Sequence, residues 1–165
     1  MARIIAALFS LTALLGLAMP AQAQNASEIA RVQSGQSCTG CNLFQADLAY
    51  RNLPGIDVSG SRLRQANLSL ATMNHSRFDN ANMSLANLFG ARFTGASFRN
   101  ANLSEAILVG AHFGSADMSG AQLEGANLSG AEMASARGLT QAQLNRACGD
   151  NTTELPAGLH IRNCR

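Results

Sequence analysis

The sequence has no Trp, no Lys and a single Tyr, and charged residues make up 13% of its 165 positions. With so few rings, the interior cannot be the bulky aromatic core of an ordinary globular domain. Ala and Leu are abundant instead, which suits backbones stacked closely on one another. All twelve cations are Arg, set against ten carboxylates, for a formal net charge of +2. That balance indicates neither a polyanion-binding surface nor a strongly acidic one. His75, His112 and His160 are isolated from one another, and no Ser-His-Asp spacing or metal triad emerges. No catalytic, cofactor or metal site is therefore expected, and each His reads as an ordinary surface residue.

The chain opens with Met1-Ala2-Arg3 and an apolar run, Ile4 to Met19, broken only by Ser10, Thr12 and Gly16. Pro20 ends the run, and Ala21-Gln22-Ala23 is a small-x-small cleavage site, so 1–23 reads as a signal peptide. The alternative is an uncleaved N-terminal anchor, for which the run is somewhat short. No Cys follows the cleavage site, which disfavours a lipoprotein. The expected mature chain starts at Gln24, carries no stable membrane span, and resides in the periplasm or outside the cell, where cysteines tend to pair. Losing Arg3 takes the net charge from +2 to +1.

What the chain does have is a period of five. From Leu43 to Met133 every fifth residue is Leu, Met, Phe or, at Val58, Val. Two residues before each of these centres stands a small residue, usually Ala, except at Arg51 and Ile56. The unit reads Ala66-Asn67-Leu68-Ser69-Leu70 or Ala126-Asn127-Leu128-Ser129-Gly130. A period of five is neither helical nor strand-like, so it calls for a repeat architecture. The Asn-x-Ser triplets, such as Asn67-Leu68-Ser69 and Asn102-Leu103-Ser104, are by-products of that unit and not glycosylation signals.

In this unit the chain resembles the pentapeptide-repeat family over Leu43 to Met133. The resemblance implies an all-β fold: a right-handed quadrilateral β-helix in which four pentapeptides make one square coil and the centre and its small partner point inward. The residues test the four-sidedness independently. Sorted by twenties, Phe78 and Phe98 fall in one column and Phe93 and Phe113 in its neighbour, while the other two columns hold Leu with the single exception of Met83. Coils spaced by about 4.8 Å then make a rod about 23 Å tall. Arg51 and Ile56, flanking Pro54-Gly55, predict a bulge or widened corner in the first coil.

Short helices are expected at both ends of the tract, which divides the chain into a cap at 24–37, the β-helix at 38–137 and a second cap at 138–165. Asn25 with Glu28 reads as a capping box for a helix at 26–34. Its expected job is to cover the open lower edge. Thr140 with Gln143 reads as a second box, with Leu139 and Leu144 as a staple, for a helix at 141–148. Leu155 to Ile161 is expected to pack across the last coil.

Four cysteines come as Cys38-Thr39-Gly40-Cys41 and as Cys148 with Cys164. A zinc site would need all four in one sphere, and a rod puts the pairs at opposite ends. Cys38 and Cys41 sit in the inward register, where they can pair around a corner or simply pack. A Cys148–Cys164 bridge would close a loop worth roughly 3 kcal/mol of chain entropy. The cysteine-tied tail resembles those of exported bacterial members of the family.

Because packing occupies the inward positions, function must lie outside. Tyr50, Leu70, Phe89, Ile107 and Val109 fall on the second face, with Phe44 and Leu85 on the first and Leu85 near the shared corner. Tyr50, Leu70, Leu85, Phe89, Ile107 and Val109 form a candidate surface for a protein partner or for self-association. Arg77, Asp79, Arg99 and Asp117 on the fourth face, and Arg92, His112 and Glu132 on the third, read as solvated ion pairs. The expected function is an exported, non-catalytic interaction or scaffold module that binds no nucleic acid. Some family members mimic DNA and bind type II topoisomerases, but that role wants an acidic rod without a leader. An uncharacterised envelope enzyme is the remaining alternative.

Overall fold

A computed structural model describes residues 24–165. The signal peptide expected at 1–23 lies outside the described residues. No helix among the described residues is long and apolar enough to cross a membrane.

The chain winds into a right-handed, four-sided β-helix. Each face is a short extended segment paired in parallel with the segment twenty residues on, from Asn42 with Arg62 through to Asp117 with Arg137. The hydrogen bonds show why five residues suffice for one side. Along the regular rod the amide of a centre donates to the coil above, as Leu68 N to Asn87 O at 2.7 Å. The amide before it donates to the coil below, as Asn67 N to Ala46 O at 2.9 Å. The backbone is thus satisfied by the neighbouring coils without long strands.

Each corner from Gly40 to Gly130 is a tight turn whose last residue is left-handed. Gly fills many of these positions, but Gln45, Tyr50, Leu70, His75, Leu85 and Glu105 adopt the same conformation, with φ between 54° and 60°. Pro54-Gly55 follows this rule, with Gly55 at φ +71°. It is turn chemistry in its proper place, so the bulge expected around Arg51–Ile56 does not form. Asn52 pairs with Thr72 and Asp57 with Arg77 in unbroken register. Ile56 is buried as a small residue would be. Arg51 is exposed, since the first coil has no coil beneath it to confine a long side chain.

The inward residues fill the rod completely. All nineteen centres from Leu43 to Met133 are buried, as are the Ala residues paired with them. Where the partner is Ser, its hydroxyl bonds a carbonyl of the coil below: Ser61 Oγ to Cys38 O at 2.8 Å and Ser76 Oγ to Leu53 O at 3.1 Å. The four Phe rings form one cluster. Phe78 and Phe98 stack at 4.8 Å with planes 5° apart, and Phe93 stacks on Phe113 at 5.4 Å. Across the two columns the contacts are edge-on, as between Phe93 and Phe98 at 5.2 Å. Both geometries are favoured by the ring quadrupole.

Helix α1, Ala26–Gln33, covers the lower edge. Asn25 caps it by accepting from the Glu28 amide, but the reciprocal half of the expected capping box is missing. The Glu28 carboxylate instead accepts from the Asn42 amide at 2.6 Å. Asn42 is in the first coil, so this contact ties the cap to the open edge. Gln33 Nε2 donates to Asp47 O at 2.8 Å and Ser37 Oγ accepts from Asp57 N at 2.9 Å. The cap therefore supplies partners that a lower coil would have supplied.

Helix α2, Gln141–Leu144, has the full Thr140–Gln143 box. Gln143 Nε2 also donates to Met118 O and Ala121 O, at 2.9 and 2.8 Å. The helix stops short of the expected 141–148 because Cys148 returns to the coil: its amide donates to Ala126 O and its carbonyl accepts from Leu128 N. Cys148 pairs with Asn127 and Glu154 with Glu132, at offsets of twenty-one and twenty-two residues. The β-helix thus runs on past the last regular repeat, with α2 standing in for one side. Leu139, Leu155, Leu159 and Ile161 pack against the core from above.

Candidate interaction face

The second face is built on the centres Leu48, Leu68, Leu88, Leu108 and Leu128. The register brings the candidate residues together on it. Tyr50 and Leu70 stand on its trailing corner in the first two coils. Phe89 and Val109 lie just inside that corner in the third and fourth, and Ile107 lies near the leading edge of the fourth. Leu85 stands on the leading corner of the third coil, shared with the first face. Tyr50 is the most exposed at 75%, and Leu70, Leu85, Phe89 and Ile107 are exposed as well. Val109 is half-buried, as is Phe44 on the first face.

Two local devices hold these side chains outward. The Asn87 side chain accepts from the Phe89 amide at 3.0 Å. The same bond recurs at Asn67–Ser69, Asn102–Ser104 and Asn127–Ser129. This is the reason for the Asn in the repeat unit, a role that the spacing of Asn and Ser signals but that the inward pattern alone does not show. The second device is the left-handed corner. Tyr50, Leu70 and Leu85 adopt φ of 60°, 58° and 60°, a conformation that costs an ordinary residue roughly 1–2 kcal/mol and costs Gly little.

The third and fourth faces carry charge. Asp79 is 5% exposed and receives hydrogen bonds from Arg99 Nη2 at 2.8 Å, Arg77 Nη2 at 3.2 Å, the Arg99 amide and the Ser97 hydroxyl. Burial alone pushes its carboxyl up, but the hydrogen bonds from Ser97, Arg99 and Arg77 outweigh it and hold the pKa below the usual 3.8. Asp117 is held low chiefly by its bond from the Ser119 hydroxyl. On the third face His112 Nδ1 meets Glu132 Oε2 at 2.7 Å. His75 lies below Gly95, and the His160 backbone is clamped by Gln141. Among the described residues no group of three or more His, Cys, Asp or Glu is placed to hold a metal.

Cys38, beneath the fourth face, and Cys41, at the start of the first, lie within bonding distance across the corner, with Cα atoms 5.7 Å apart. Cys148 and Cys164 do so at the top of the second face, with Cα atoms 4.8 Å apart. Cys164 also touches Asn127 and Ser129, so the C-terminal tail ends directly above the apolar residues.

The pentapeptide-repeats family model matches eight copies, over residues 41–80, 66–104 and 96–133. The chain belongs to the pentapeptide-repeat family. No curated protein matches it. Among solved structures it is similar to HetL of the cyanobacterium Nostoc, a pentapeptide repeat protein involved in heterocyst differentiation regulation. Identity is 21% over 78% of this chain and 60% of HetL, with a TM-score of 0.42. A second Nostoc pentapeptide repeat protein is 23% identical over 83% of this chain and 88% of its own, with a TM-score of 0.42. A pentapeptide repeat protein of the Arabidopsis thaliana thylakoid lumen is 28% identical over 74% and 83%, with a TM-score of 0.32. This pentapeptide-repeat chain carries Tyr50, Leu70, Leu85, Phe89 and Ile107 exposed on the outside of its rod.

Proposed function

We propose that this pentapeptide-repeat protein is an exported, non-catalytic scaffold that binds protein through its second face. One observation carries the reading. At three exposed corners the chain places Tyr50, Leu70 and Leu85 in a left-handed conformation that glycine would adopt without strain. The other left-handed corners of the rod carry Gly or polar residues such as Gln45, His75, Asn100 and Glu105, so these three are distinguished by being apolar. Retaining large apolar side chains at a local cost marks them as serving something outside the rod.

Export is supported by the leader pattern of residues 1–23 and by two cysteine pairs within bonding distance, which suit an oxidising compartment. The absence of a catalytic constellation in the sequence, and a rigid surface in its place, favour binding over turnover. The test is crosslinking of the full chain in its native envelope, beside the variants Phe89→Arg and Leu70→Gly. Crosslinks made by the native chain and lost in both variants are expected. Crosslinks that persist in both, or recovery of the chain only in the cytoplasm, would overturn the reading.

A further inference from the structure

The exposed apolar residues of the second face run obliquely as a stripe, flanked by half-buried Val109 and by Leu85 on the shared corner. It starts at Tyr50 on the trailing corner of the first coil, passes Leu70 and Phe89, and ends at Ile107 near the leading edge of the fourth. A charged residue stands at each end. Arg51 follows Tyr50 and is exposed; Glu105 stands two residues before Ile107 and is exposed. Neither enters an ion pair among the described residues, whereas Arg77, Asp79, Arg99, Glu124 and Arg146 all do.

Resting on the second face as the interaction surface, we infer that its partner is a second copy of this chain, laid antiparallel along the stripe. A two-fold contact between identical faces can superpose an oblique stripe on its copy in two ways. With the axis along the stripe, Arg51 meets Arg51 and Glu105 meets Glu105. With the axis across it, the ends exchange, and Arg51 of each copy meets Glu105 of the other. Like charges repel and opposite charges steer and fix register, so the second arrangement wins. It places the axis between Leu70 and Phe89, so that Leu70 of each copy meets Phe89 of the other and Tyr50 meets the other copy's Ile107. Because the stripe is oblique, the two rods cross steeply instead of lying side by side.

The arrangement closes at two copies, since an isologous contact uses the same stripe once in each. Extension along the rod is blocked by α1 below and the tail above. Six side chains make a contact below the size of a standard stable interface, so the dimer is weak and forms only at high concentration.

Sedimentation equilibrium of the purified, oxidised full chain over a wide concentration range tests this. A reversible monomer–dimer equilibrium is expected. Arg51→Glu and Glu105→Arg should each weaken it by about tenfold, because symmetry makes each reversal count twice. The double variant Arg51→Glu, Glu105→Arg should recover the native affinity. Phe89→Arg should leave a monomer with an unchanged melting temperature. A dimer unmoved by the single reversals, or not recovered in the double variant, overturns the antiparallel contact. A chain that is monomeric throughout but makes Phe89-dependent crosslinks overturns the second copy and leaves the interaction face standing. A dimer unaffected by Phe89→Arg overturns both.

Discussion

Leu70 stands directly below Gly90: a Cβ built on Gly90 would stand 2.7 Å from Leu70 Cδ2. The two residues share one corner column, one coil apart. His75 below Gly95, Asn100 below Gly120 and Glu105 below Gly125 repeat the arrangement. The upper glycine answers two needs, a positive φ and room for the side chain below.

The two needs can be separated. Gly90 and Gly110 have nearly the same φ, +60° and +64°, but nothing lies within 4 Å of a Cβ on Gly110. Gly110→Ala should cost about 1 kcal/mol from backbone strain alone. Gly90→Ala should cost about 1–2 kcal/mol more, because Leu70 must move. Urea unfolding of the two variants gives the difference. Adding Leu70→Ala to Gly90→Ala should recover the excess and leave the strain.

The same corners separate stability from binding. Replacing Leu85 by Gly removes an exposed side chain and a left-handed strain of roughly 1–2 kcal/mol, against a loss of chain entropy of about 0.5–1 kcal/mol. Leu85→Gly should therefore be neutral or slightly stabilising in thermal melts. At an ordinary surface site with negative φ, the same change to Gly would destabilise. A clear loss of stability would mean that Leu85 packs on the rod more firmly than its exposure indicates.

Asp79 predicts a pH dependence. Its folded pKa is depressed by its Ser97, Arg99 and Arg77 partners despite burial. A depressed acid stabilises the fold fully above its unfolded value, near 3.8, and loses that contribution as pH falls through the lower folded value. Asp79→Asn should cost about 1–3 kcal/mol at neutral pH, leaving Arg77 and Arg99 without their shared acceptor. The gap between native and variant urea midpoints should narrow below pH 3.8. A gap constant with pH would show that shape, not charge, is what Asp79 supplies.

The regular part of the rod was legible because its physics is periodic. Each buried centre recurs at five, and the Phe residues sort into two columns at twenty, so the four rings meet where the columns predict. What the pattern hid were residues acting once. Glu28 reads as half of a capping box until the fold places the Asn42 amide beside it. Arg51 and Ile56 read as a bulge because the small-residue rule fails there, yet the turn at Pro54-Gly55 keeps the register. Cys148 and Glu154 continue the β-helix at offsets of twenty-one and twenty-two, which no fixed period reveals. The candidate face was legible in its membership but not in its strain: left-handed Tyr50, Leu70 and Leu85 show only in the backbone.

The Cys148–Cys164 pair ties down the end that the repeat does not specify. Cys164 is next to the last residue, and its segment is held by Gly149 N to Arg162 O and Cys164 N to Gly149 O, both at 2.9 Å. Those bonds and the packing of Ile161 are few beside the entropy of a free tail. Closing this loop should stabilise by roughly 3 kcal/mol in the chain-entropy model. The double variant Cys148→Ser, Cys164→Ser should lose about that much, and its amide exchange should rise first in residues 149–164. The coils that hold the Phe cluster should keep their protection, because the tail bonds the last regular coil, as in Met133 N to Glu154 O, and not theirs. Uniform loss of protection from the first coil to the last would instead mean that the tail and the rod unfold as one unit, and that the bridge stabilises the whole β-helix.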